Sequence, residues 1–185
     1  MHILHGLHQQ TKKSKRGMEE EMVKVGILGY GTVGSGVFEI LNKNSDIITK
    51  RAGQDIEVKY VLDLRDFPGD PAENYVVHDF SILENDDEVK IVVETMGGLH
   101  PAYEFVKASL LKGKNVVTSN KALVAAFGTE LLQIARDKNV NFLFEASVGG
   151  GIPIIRPIHQ CLAANDVIEI AGILNGTTNF ILTKM

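Results

Sequence analysis

From Val23 onward the chain alternates short apolar runs with segments in which apolar residues return every three or four positions. These are the two periodicities expected of buried strands and of the helices that cover them. VKVGIL (23–28) reads as a short buried strand, and beyond it Val33, Val37, Ile40 and Leu41 recur at helical spacing. IEVKYVLDL (56–64) predicts a second strand after the polar stretch NKNSDIITKRAGQD. DFPGDPAEN (66–74), crowded with Pro, Gly and Asp, predicts a surface loop where a second helix could have stood.

The alternation continues with KIVVETMGG (90–98), a strand ending in a glycine pair. Pro101 then opens a helix with the face Ala102, Phe105, Val106, Ser109 and Leu110, and Gly113 closes it. NVVTS (115–119) is strand-like, Thr129, Leu131, Leu132 and Ala135 mark a helix, and VNFLFEA (140–146) is the next strand. PIHQCLAA is helical, with Pro157 starting or kinking the helix because it has no amide hydrogen. VIEIAGIL (167–174) predicts another strand, and NGTTNFILTKM opens a last helix. Together these elements predict an α/β protein with a doubly wound, mostly parallel sheet over 23–165. Residues 166–185 begin a second, α+β unit, expected to be truncated.

Composition narrows the class. Nineteen Lys and Arg against 23 Asp and Glu leave a net charge of −4, with 44% hydrophobic residues. This balance describes an ordinary globular protein and offers nothing to a nucleic acid. No apolar run approaches the ~18 residues of a membrane span, and the first residues lack the apolar core of a signal peptide, so a cytoplasmic setting without a membrane partner is expected. Residues 1–22, basic at Lys12, Lys13, Lys15 and Arg16, are expected to be a disordered leader or tag, with Met18 a candidate start. The single cysteine, Cys161, has no partner for a disulfide and is expected to be a buried small hydrophobe.

The chemistry gathers at strand ends. Gly29-Tyr30-Gly31-Thr32-Val33-Gly34 satisfies G-x-G-x-x-G between a predicted strand and a predicted helix. In that setting the first glycine makes the turn, the second lets the backbone approach a pyrophosphate, and the third allows close helix packing. The helix N-terminus then offers free N–H groups to the phosphates. An acid near the end of the second strand reads the adenine ribose. Asp63 is the candidate, late in the chain relative to Gly34, while Arg65 beside it would attract a 2′-phosphate; the balance leans slightly to NAD and leaves NADP open.

Thr95, Met96 and Gly97 end the next strand, where ligands collect in open sheets, though a plain glycine turn before a helix is the alternative. Ser119 and Lys121 occupy the equivalent edge one strand on, and the lysine would either project into the crevice or lie on solvated surface. Glu145, followed by the bare backbone of SVGGGIP, either holds a hard cation with main-chain oxygens or caps the next helix.

At this point GYGTVG, TSNKALVA, FEASVGGGIPII and GILNGTTNFILTKM, in this order, resemble the homoserine dehydrogenases. The resemblance covers essentially everything from Val23 to Met185. It implies a Rossmann-like nucleotide-binding domain and NAD(P)-dependent interconversion of L-aspartate 4-semialdehyde and L-homoserine, on the route to threonine, methionine and isoleucine, by a homodimer or homotetramer. It implies that Lys121 lies near nicotinamide and substrate and serves catalysis. Glu145 with backbone oxygens of Val148, Gly150 and Ile152 would bind a sodium-like cation. Asn175, Gly176 and Thr177 would begin the substrate-binding region. Further substrate-holding acids and a second lysine follow in that family, so the chain alone is expected to bind cofactor and to turn over little. The alternatives are a non-catalytic NAD(P)-binding module and another oxidoreductase of small aldehydes, neither of which accounts for GILNGTTNFIL.

Overall fold

The computed structural model describes residues 22–172 and 176–185; the expected leader therefore lies, but for its last residue, outside the described residues. In chain order the elements are β1 (Val23–Leu28), α1 (Thr32–Lys43), α2 (Ser45–Ala52), β2 (Ile56–Leu62), β3 (Val76–Val77), α3 (Phe80–Glu84), β4 (Val89–Glu94), α4 (Ala102–Leu111), β5 (Asn115–Thr118), α5 (Lys121–Lys138), β6 (Phe142–Leu143), α6 (Ile155–Cys161) and α7 (Gly176–Lys184). Short 3-10 turns occupy Glu73–Tyr75 and Glu145–Ser147.

The strands form one sheet in the order β3-β2-β1-β4-β5-β6, and every pair is parallel. Parallel strands need crossovers, and here helices supply most of them, leaving a hydrophobic layer on each face. On one face Val25, Ile27, Val58 and Val61 pack with Phe38 of α1. On the other, Leu28, Val92 and Val116 pack with Leu83, Val106, Leu110, Leu123 and Leu131 from α3, α4 and α5. Gly26 in β1 makes room for the second layer, since a Cβ there would stand 2.3 Å from Cδ1 of Leu83. Burying a leucine side chain of this kind contributes ~1.5–3 kcal/mol.

Several elements depart from the sequence reading. The polar stretch after α1 folds as α2, a surface helix with no buried residue, so no apolar stripe marked it. That insertion is what delays Asp63. Between the predicted loop and β4 the chain adds the edge strand β3 and the one-turn helix α3, whose N-cap Asp79 accepts a hydrogen bond from the Ser81 amide at 2.8 Å. Helix α5 starts at Lys121, well before Thr129, because the Asn120 side chain caps it by accepting from the Leu123 amide at 3.1 Å. The strand predicted over 140–146 pairs only at Phe142–Leu143.

The predicted strand at 167–174 is corrected more fully. Its described residues, 167–172, are exposed and belong to no strand, with Ile168 99% exposed; alternating apolar residues make a strand only beside a partner, and no described strand adjoins them. Cys161 is likewise exposed rather than buried, because α6 buries none of its residues.

Candidate functional site

The strand order reverses between β1 and β4, and the loops leaving their carboxyl ends face each other there. After β1 the chain turns at Gly29, whose φ of +91° lies in the left-handed region that favours glycine. Its amide donates to Leu62 O at 2.8 Å. Gly34, in the first turn of α1, is fixed for a different reason: a Cβ there would stand 2.0 Å from the Gly29 carbonyl oxygen. Gly31 is the N-cap, and a Cβ on it would meet nothing within 4 Å. The helical ladder begins with the Ser35 amide, 2.9 Å from Gly31 O. The amides of Thr32, Val33 and Gly34 therefore precede any helical acceptor and stand at the positive end of the helix dipole. Open space over Gly31 beside these donors fits a diphosphate.

Thr95 holds this turn from the neighbouring strand. Its amide and hydroxyl both donate to Leu28 O, at 2.9 and 3.1 Å, and the hydroxyl also reaches Gly29 O at 2.9 Å. Met96 packs directly against the turn, 3.1 Å from where a Gly29 Cβ would be.

Beneath these loops lies a residue the sequence reading missed. Glu94, the last residue of β4, is 0% exposed. One carboxylate oxygen accepts from the amides of Met96 (2.8 Å) and Gly97 (3.3 Å), and the other accepts the Thr118 hydroxyl. Thr118 Oγ1 in turn accepts from the Asn120 amide at 2.9 Å, and the Asn120 side chain donates to Gly98 O at 2.6 Å. Ser119 joins through its amide, 3.3 Å from Glu94 O. The loops after β4 and β5 are thereby locked together, and Lys121 emerges exposed at the first position of α5. The available signal was an acid inside an apolar strand, which stays buried only when its oxygens are satisfied.

At the end of β2, Asp63 and Arg65 form a tight pair. Asp63 Oδ1 accepts from the Arg65 amide and Nε, both at 3.0 Å, and Oδ2 accepts from Arg65 Nη2 at 3.0 Å and from the Tyr30 amide at 2.8 Å. The guanidinium holds the carboxyl well below the usual carboxylate range, with the Tyr30 amide adding to the effect. A carboxylate has about four acceptor positions, and here all are taken. Arg65 also reaches Tyr30 O at 3.3 Å and lies 5.0 Å from the Phe67 ring centroid; its Nη1 has no partner among the described residues. Asp63 and Arg65, with the glycine turn, Thr95, Met96, His78 and the rings of Phe80 and Phe105, line one cavity of about 490 Å³. The Tyr30 hydroxyl donates to Asp70 at 2.8 Å; its burial and the Asp70 carboxylate push the phenol up to about 12.

Glu145 sits elsewhere, below α6. One oxygen accepts from the amides of Ile154 and, at 2.8 Å, Ile155; the other accepts from the Arg156 amide at 2.8 Å. These amides hold the carboxyl below its ordinary range. In this arrangement it caps a helix, and no cluster of three His, Cys, Asp or Glu suited to a metal occurs among the described residues. Gly150 has φ +60°, and Ile152 donates to Gly149 O at 3.0 Å; Val148 follows the 3-10 turn as its C-cap. Asn175 lies outside the described residues, and Gly176 and Thr177 begin α7 with side chains that also lie outside the description.

Comparison with known proteins agrees with this geometry. Residues 29–145 match the family described as homoserine dehydrogenase, NAD binding domain, and 153–185 match the family described as homoserine dehydrogenase. A homoserine dehydrogenase of Pseudomonas aeruginosa is 45% identical over 164 residues, covering 88% of this chain and 38% of that protein. One from Bacillus subtilis is 39% identical over 168 residues, with the same shares. Among solved structures, a homoserine dehydrogenase from Thiobacillus denitrificans superposes with a TM-score of 0.79 at 43% identity, covering 88% of this chain and 38% of that one. A hyperthermophilic archaeal homoserine dehydrogenase in complex with NADPH superposes at 0.62 with 29% identity, covering 74% and 48%. The chain thus spans 38% of the length of the curated relatives it matches.

Proposed function

The chain belongs to the homoserine dehydrogenase family, and we propose that it binds NAD(P) in the cleft between β1 and β4 and serves the interconversion of L-aspartate 4-semialdehyde and L-homoserine. One arrangement carries the nucleotide reading: Gly34 is sterically compulsory, Gly31 is open to a ligand, and the amides of Thr32, Val33 and Gly34 lack helical acceptors.

When bound, the nucleotide supplies the hydride. The protein's part is to grip and orient it. Amides of residues 32–34 would take the diphosphate, while Thr95 and Glu94 hold the loops against which the nicotinamide end lies. Lys121, exposed at the N-terminus of α5, would donate a proton to the oxygen that becomes an alkoxide, a role suited to an ammonium set beside developing negative charge. Gly97 and Ser119 flank that end; Asn175, Gly176 and Thr177 remain the proposed entry to the substrate region. Because Asp63 has no free acceptor and Arg65 retains donors, the adenosine end favours a 2′-phosphate, which moves the balance from NAD toward NADP.

A sodium-like cation would use the remaining acceptor position of Glu145 with the main-chain oxygens of Val148, Gly150 and Ile152. Its contribution would be to order the 148–152 loop. Residues 23–165 form the nucleotide-binding unit in this reading, and 166–185 open the substrate domain. Family kinship also supports a cytoplasmic homodimer or homotetramer; no described helix is long and apolar enough to cross a membrane. Calorimetric titration with NADPH and NADH tests the central claim. Saturable binding that Gly31→Val abolishes is expected, and folded protein that binds neither nucleotide refutes it.

A further inference from the structure

The adenosine end of the cleft contains an ionisable group that the glycine motif does not explain. β3 pairs with β2 in parallel register, Leu62 opposite Val77, so the residue after each strand falls side by side. Those residues are Asp63 and His78. His78 Nδ1 lies 2.7 Å from the Asp63 main-chain oxygen, and Nε2 lies 3.1 Å from Asp66 Oδ1. A carbonyl oxygen only accepts, so Nδ1 carries a proton. On a neutral ring Nε2 would then present a lone pair to a carboxylate; a proton on Nε2 turns that repulsion into a charge-assisted hydrogen bond. In keeping with this, the Asp63 carbonyl and the Asp66 charge raise the imidazole above its ordinary value.

The surrounding charges are few. From the loop after β2, Asp63 and Arg65 cancel as a pair, leaving Asp66. In the segment of His78 itself, Asp79 is turned to the Ser81 amide as the cap of α3. Helices α3 and α4 bring only Phe80 and Phe105 to the cavity. The local sum is therefore about −1 when His78 is neutral and about zero when it is protonated. Asp66 is 85% exposed, so a phosphate could take its place on Nε2.

Resting on the nucleotide reading above, we propose that His78 is a specificity-determining residue: protonated, it joins Arg65 in holding the adenosine 2′-phosphate, and neutral, it leaves the site to the unphosphorylated ribose. The ratio of NADPH to NADH affinity therefore gains a dependence on pH from the His78 side chain, beyond that of the phosphate's own titration. Binding of NADPH raises the His78 pKa; binding of NADH leaves it in place.

The test is titration calorimetry of both nucleotides between about pH 5.5 and 8.5 on the protein and on His78→Asn, with the His78 ring followed by NMR. The 2′-phosphate takes up its own proton near ~pH 6, which weakens NADPH binding in acid in every variant. The informative quantity is thus the difference between the two proteins. The expected result is a preference for NADPH about tenfold larger in the parent than in His78→Asn on the acid side, vanishing on the alkaline side. Superimposable pH profiles for parent and His78→Asn, or a ring pKa indifferent to NADPH, overturn the assignment while leaving nucleotide binding intact. Failure of both nucleotides to bind folded protein overturns both together.

Discussion

Glu94 and Thr118, at the carboxyl ends of adjacent parallel strands, share a hydrogen bond beneath the cleft, with the hydroxyl donating and the buried carboxylate accepting. The same carboxylate collects two amides of the 96–97 loop, and Thr118 collects the Asn120 amide. Two loops at the carboxyl edge of the sheet are thus anchored on one side chain that does not itself reach the surface.

Replacing that anchor should affect stability first. Glu94→Ala deprives three donors of their acceptor, the buried Thr118 hydroxyl and the less deeply buried amides of Met96 and Gly97, at ~1–3 kcal/mol for each that finds no water. A loss of roughly 3 kcal/mol or more is expected by denaturant titration, seen as a lowered midpoint at unchanged slope. Glu94→Gln keeps an acceptor for the amides but cannot accept the Thr118 hydroxyl as well through its other end, and should fall between. Unchanged stability of Glu94→Ala would show that the network carries little.

Much of this was legible beforehand, and the reasons separate cleanly. The apolar runs of β1, β4 and β5 and the glycine turn announced themselves because burial and close approach each leave a residue-type mark. Helix α2 left none, since a helix with no buried face has no stripe. The start of α5 rests on Asn120, a cap that reads equally well as a strand-end polar residue. Glu94 and His78 escaped because their partners are distant in sequence; only the sheet register, which sets Asp63 beside His78 and Glu94 beside Thr118, makes them neighbours.

The two glycines of the nucleotide turn should fail differently. In Gly34→Ala the added methyl meets a carbonyl oxygen at 2.0 Å, and the ~1 kcal/mol that alanine normally gains over glycine in a helix cannot offset such a clash. The protein should lose stability and binding together. Gly31→Ala meets nothing, so the melting temperature should hold while nucleotide affinity falls at least tenfold. Equal thermal shifts in both variants would contradict this division.

Acid sensitivity should trace in part to Asp86. Its carboxylate takes Lys59 Nζ at 2.5 Å and the Tyr60 hydroxyl at 2.8 Å, and Lys59 above all holds it down to about 2. The folded value lies below the unfolded one, so this contribution is complete above roughly pH 4 and drains away as the pH falls toward 2. Asp86→Asn should be less stable than the parent at neutral pH and should close that gap in acid. Parallel stability curves for the two proteins across this window would rule the mechanism out.

Arg65 is where cofactor choice and local structure can be separated. Its guanidinium makes two side-chain bonds to Asp63 and another to Tyr30 O, yet the side chain is 63% exposed, so the pair adds little to stability. In Arg65→Ala the Asp63 carboxylate loses its cation but keeps the Tyr30 amide at 2.8 Å, which leaves it ionised, in place, and with acceptor positions to spare. A ribose 2′-hydroxyl can donate to those positions, whereas a 2′-phosphate meets bare negative charge. NADPH affinity should therefore fall by a factor of about ten to a hundred, the range of one or two lost charge-assisted hydrogen bonds. NADH affinity should stay within about threefold or improve, and the unfolding midpoint should barely move. A matched loss of both nucleotides would mean that Arg65 supports the cleft as a whole; undiminished NADPH binding would place the 2′-phosphate away from this pair.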